Sequence, residues 1–115
     1  MDIEILEYLD DIGRSPYGRW FEELNAKAAA KVTSAIDRIG RGLMTNVESV
    51  GTGVYERKID FGPGYRIYFG TVTDGRITKI VILLHGGMKK GQTRDIALAK
   101  RHWKDYKTRK RRGEI

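Results

Sequence analysis

A chain of 115 residues, 40% of them hydrophobic, builds one domain around one core and is too rich in aliphatic and aromatic side chains to stay disordered. No apolar run approaches the roughly 20 residues of a membrane helix, and the absence of cysteine excludes disulfides and thiolate metal sites, leaving His85 and His102 as too few for a metal cluster. The net charge of +7 is concentrated: residues 86 to 115 hold 11 of the 22 Lys and Arg but 3 of the 15 acids, which fits either a nucleic-acid footprint or a solvated helix face with a basic tail.

The opening MDIEILEYLDD is acidic where a secretory leader is basic, so a cytoplasmic location is expected, and its apolar-acidic alternation from Ile3 predicts a short half-buried strand. Ser15 and Pro16 form a helix start, a capping hydroxyl followed by a residue with no N–H to satisfy. From there Trp20, Leu24, Ala28, Val32, Ala35, Ile36 and Ile39 recur every three or four residues, either in one helix or in two broken near Asn25, up to Gly40 and Gly42. The segment NVESVGTG reads as a loop. Three strands follow, Val54 to Ile59, Tyr65 to Val72 and Arg76 to Leu84, joined by short GPG and TDG turns that make them antiparallel neighbours. The last strand is expected to end in a flexible loop, HGGMKKGQ. A second helix begins near Thr93, with Ile96, Ala99, Trp103 and Tyr106 on its apolar side, and residues 1–108 are read as one domain with 109–115 as a disordered basic tail. The order indicates an α+β layer fold with helices packed on one antiparallel sheet.

Side-chain alternation in GPGYRIYFG puts Tyr65, Ile67 and Phe69 on one face and Arg66, Tyr68 and Gly70 on the other. If the first face is core, the second presents a guanidinium and a phenol to solvent. Either Arg57 or Lys58 shares that face, depending on the register across the GPG turn, and the following loop brings Lys89 and Lys90 to the sheet edge. Such a set of cations suits a phosphate backbone. The structural alternative is that Arg66 merely pairs with Glu56 across the strands. His85, beside two glycines, is either a proton shuttle or a structural strand end. His102 is expected at the surface or in contact with RNA, and Trp103 in the core.

The runs VYERKIDFGPGYRIYFG and ILLHGGMKKGQTRDIALAK resemble the phage-derived addiction-module killer proteins, a branch of the RelE/HigB group of bacterial type II toxins, over about Trp20 to Trp103. The resemblance implies a small RelE/ParE-like fold: N-terminal helices on one face of a mainly antiparallel four-stranded twisted sheet, a basic concave face opposite, and a C-terminal helix. It implies a ribosome-dependent mRNA endoribonuclease that needs no metal or other cofactor, in which the RNA 2′-hydroxyl attacks the adjacent phosphate. Arg66 then matches the arginine on the scissile phosphate, Lys58 or Arg57 the basic residues of the preceding strand, and Lys89 the cation after the last long strand. Lys90, Arg94, Lys100, Arg101, Lys104 and Lys107 would meet RNA or the ribosome. The chain departs from RelE at Ala97, where RelE has a tyrosine, so the general base falls to Tyr68, His85 or Tyr106. The implied partner is a helix-turn-helix antitoxin of the HigA type from the adjacent gene, through which the pair would reach operator DNA; no membrane is involved. A ParE-like gyrase inhibitor without nuclease activity, or an inactive antitoxin-binding remnant, are the alternatives.

Overall fold

The computed structural model describes residues 2–75 and 78–115. The first strand, β1 (Asp2–Glu7), alternates as its sequence requires, with Ile3 and Ile5 turned to the core. Ser15 Oγ accepts from the Gly18 amide at 2.9 Å and starts α1 (Pro16–Glu22). The long apolar periodicity is broken at Asn25, whose backbone is extended and whose side chain caps the Ala28 amide at 2.9 Å, so that α2 (Ala26–Gly40) starts afresh.

The sheet corrects the expected strand count of a mainly antiparallel, four-stranded sheet. Among the described residues it has five strands, in the order β1-β5-β4-β3-β2, and it is mixed because β1 runs parallel to its neighbour. The unforeseen member is β2 (Val47–Gly51), which pairs with β3 (Val54–Ile59) through a turn where Gly51, Thr52 and Gly53 all adopt positive φ. β4 (Tyr65–Asp74) and β5 (Thr78–Met88) complete it. The expected start of the last strand at Arg76 lies outside the described residues. Its expected end was too early: His85, Gly86 and Gly87 are in β5, opposite Tyr68, Ile67 and Arg66, not in a flexible loop.

Both faces are covered, which is the larger correction. On one, α1 and α2 pack Tyr17, Ala28, Val32 and Ile39 onto Ile67, Phe69, Val81 and Leu83. On the other lies α3 (Gln92–Arg111), whose Ala99 and Trp103 meet Val54, Tyr68, Ile82 and Leu84. Gly53 and Gly70 make room for the indole: a Cβ would stand 2.9 Å from Trp103 Nε1 at Gly53 and 2.6 Å from the ring at Gly70. A helix thus occupies the face expected to be open and basic. It continues to Arg111, past the boundary drawn at residue 108, and Arg109 pairs with Asp105 at 2.8 Å. Among the described residues no helix is long and apolar enough to cross a membrane.

Candidate functional site

Register settles which cation of β3 accompanies Arg66. Lys58 lies opposite Arg66, whereas Arg57 lies opposite Ile67 on the face of α2, buried, with its guanidinium donating to the Lys58 carbonyl. Burial, with Arg38 nearby, lowers the Arg57 pKa, and it stands apart from the other strand cations. The chain leaving β5 is tied back to the GPG turn by the Lys89 amide, which donates to the Gly64 carbonyl at 2.7 Å. The result is a cleft of about 300 Å³ lined by Asn46, Lys58, Asp60, Gly64, Arg66 and Lys89. Lys89 is exposed, and Lys58 is half-exposed with its ammonium 3.3 Å from Glu48 at the rim.

Arg66 itself is only 8% exposed, so it is not the open-face arginine that alternation suggested. Its Nη1 donates to the Tyr65 carbonyl at 3.1 Å, and its Nε stands 3.9 Å from Glu56 Oε1, too far for a hydrogen bond. Glu56, 1% exposed, receives its hydrogen bond from Gln92 Nε2 at 2.7 Å. Beneath α3 this polar layer continues: Tyr68 is 0% exposed, and desolvation, with Glu56 and Asp95 adding, pushes its phenol well above the ordinary range. Tyr68 is therefore buried beneath α3, a correction to its placement beside Arg66 on solvent. His85, opposite Tyr68, holds Asp95 Oδ1 through Nε2 at 3.0 Å, while its Nδ1 is buried without a partner. Gly87 faces Asp95 so closely that any Cβ there would overlap the carboxylate.

The other residues singled out in the sequence divide among separate surfaces. Lys90 and Arg94 are exposed and, with His85, line a second cleft on the far side of the loop that carries Lys89. Lys100, Arg101, Lys104 and Lys107 flank Trp103 along α3, near Thr52 and away from the Lys58–Arg66–Lys89 cleft. Tyr106 stacks on Trp103 at 5.5 Å between centroids, and burial raises its pKa. His102, expected at the surface, is half-buried and stacked on Tyr8 at 4.9 Å. Sequence reasoning passed over Asp60, Gln92 and Asp95. An acid in the first turn of an otherwise basic helix was the available signal for Asp95; Asp60 had none beyond its place beside the GPG turn.

A cationic cleft at the end of a small mixed sheet, covered by helices on both faces, defines the class of domain. Residues 19–104, which include the whole cleft, match the family described as phage-derived protein Gp49-like (DUF891). The chain belongs to this family, which is associated with addiction-module killer toxins. It is also similar to an uncharacterised protein of Haemophilus influenzae, 38% identical over 85 residues that cover 73% of this chain and 82% of that protein.

Proposed function

We propose that this protein is the toxin of a type II toxin-antitoxin pair and that it arrests growth by cutting mRNA on the ribosome at the Lys58–Arg66–Lys89 cleft. The observation that carries the reading is the convergence of three cations from β3, β4 and the loop after β5 on one small cleft. A dianionic phosphoryl transition state carries more charge than its ground state. Cations fixed in place before reaction favour the former, and Arg66, locked by its backbone hydrogen bond, is fixed.

In the reaction the ribose 2′-oxygen bonds to the adjacent phosphorus as the P–O5′ bond breaks, giving a 2′,3′-cyclic phosphate and a 5′-hydroxyl. Asp60 is the carboxylate lining the cleft, and it takes the 2′-hydroxyl proton; Lys89, exposed and outside any ion pair among the described residues, donates to the departing O5′. The basic residues of α3 hold the ribosomal RNA. A helix-turn-helix antitoxin neutralises the protein by lying over the cleft.

The test is primer extension on a defined mRNA in a bacterial translation extract, with a matched reaction lacking ribosomes. Cuts that appear only with ribosomes and follow the reading frame support the reading. Intact mRNA in both reactions overturns it and directs attention to gyrase.

A further inference from the structure

A larger cleft lies apart from the one that holds Lys58, Arg66 and Lys89. It has a volume of about 450 Å³ and lies between α1, the end of β5 and the start of α3. β1 pairs with β5 only as far as Leu83, so the segment from His85 to Met88 has no β1 partner and lines this cleft. We infer that this cleft binds one nucleotide of a single-stranded RNA, its base against Trp20 and its phosphate against Arg19, Lys90 and Arg94.

Three features point there. Trp20 is half-buried and locked: its ring rests on Gly86, where any Cβ would overlap it, and it is braced by Tyr17 and Tyr65 at 5.9 and 6.3 Å between centroids. An immobilised indole at a cleft is a stacking platform for any base. Arg19 and Lys90 are exposed and make no ion pair among the described residues, and Arg94 is 81% exposed at 3.8 Å from Asp95. The carboxylates of the cleft are mostly engaged elsewhere. Asp10 accepts from the Ile12 and Arg14 amides and pairs with Arg14, and Asp95 holds His85; Glu23 alone is uncommitted.

The inference deepens the proposed function, on which its biological meaning rests. Lys89 lines one cleft and Lys90 the other, so an RNA strand bound at the first has a continuous cationic path over this loop into the second. The nucleotide held there would lie beside the one that is cut and would hold the strand in place whatever its base.

The test separates binding from cleavage by using 2′-O-methyl RNA, which lacks the attacking hydroxyl. Short single-stranded 2′-O-methyl oligonucleotides are titrated into the purified protein while tryptophan emission is followed. Saturable quenching that disappears in Trp20→Phe, with at least a tenfold weaker apparent affinity in Arg19→Ala/Arg94→Ala, is expected. Both arginines are exposed, so the double variant keeps its fold, which far-UV circular dichroism verifies. Quenching that is absent, or that survives unchanged in both variants, overturns the inference. Neither result depends on the mRNA being cut, so a failed cleavage assay alone leaves the binding result standing, and a failed titration leaves the Lys58–Arg66–Lys89 reading standing.

Discussion

Arg66→Ala is the obvious test of the cleft, and the structure shows why it must be read with care. Removing the guanidinium leaves Glu56, 1% exposed, with a buried charge. At 3.9 Å and an effective dielectric of 20, the Coulomb attraction lost is about 4 kcal/mol. Gln92 still donates to Glu56 at 2.7 Å and retains part of the compensation, so the net loss should be about 2–3 kcal/mol. For a domain of this size that is a fall in Tm on the order of 10 °C. Glu56→Gln removes the stranded charge, and Glu56→Gln/Arg66→Ala should recover to within about 1 kcal/mol of the parent. The assay is urea unfolding of the four proteins alongside their induction in growing cells. If Arg66 holds the scissile phosphate, the double variant folds and remains harmless. An Arg66→Ala protein as stable as the parent, or a double variant less stable than Arg66→Ala, would refute the energetic argument; a stable double variant that still arrests growth would remove Arg66 from the chemistry.

Other expectations follow from single features. Lys89→Ala should lower cleavage by about 10²-fold or more while changing stability by less than about 0.5 kcal/mol; a loss of stability that parallels the loss of activity would contradict its role. Asp60→Asn should lower the rate about 10²- to 10⁴-fold, and an unchanged rate would assign the base elsewhere. Gly70→Ala drives a methyl to 2.6 Å from Trp103 and should cost about 1–3 kcal/mol in urea unfolding; a neutral result would mean that α3 is not seated on the sheet. Burial, with His85 and Arg101 adding, holds the His102 pKa below 6.5 in the folded protein. The unfolded chain therefore takes up that proton first, and stability falls as pH drops below about 6.5 and levels off below the folded-state value. His102→Phe should flatten this slope; an identical slope in the variant would exclude His102 as its source.

Most regular elements were legible because their periodicities are long. The α2 pattern from Ala28 to Ile39 and the β4 alternation from Tyr65 hold over several repeats, and Asn25 carried the capping signal for the helix break. β2 was missed because five residues between Asn46 and a glycine-rich turn, on a sheet edge, show too little alternation to separate a strand from a loop. The face of Arg66 was misread for a different reason. Alternation tells which residues share a face but not what covers it, and the covering element, α3, has only a thin apolar stripe of Ile96, Ala99, Trp103 and Tyr106 in an otherwise basic sequence. Gly70 and Gly87 were the overlooked sign, since a glycine within a strand often marks where another group approaches the backbone. Arg66 stands 3.9 Å from Glu56, the partner that the structural alternative named, and it also lines the cleft with Lys58 and Lys89.

The most direct test of the account is to map the cuts in one mRNA, in a translation extract, for the parent protein and for Lys58→Ala/Lys89→Ala, and to determine the chemistry of the new ends. The account expects ribosome-dependent cuts ending in 2′,3′-cyclic phosphate with the parent and at least a hundredfold fewer with the folded double variant. Equal cutting by the two proteins, or mRNA left intact by the parent while growth still stops, would contradict it.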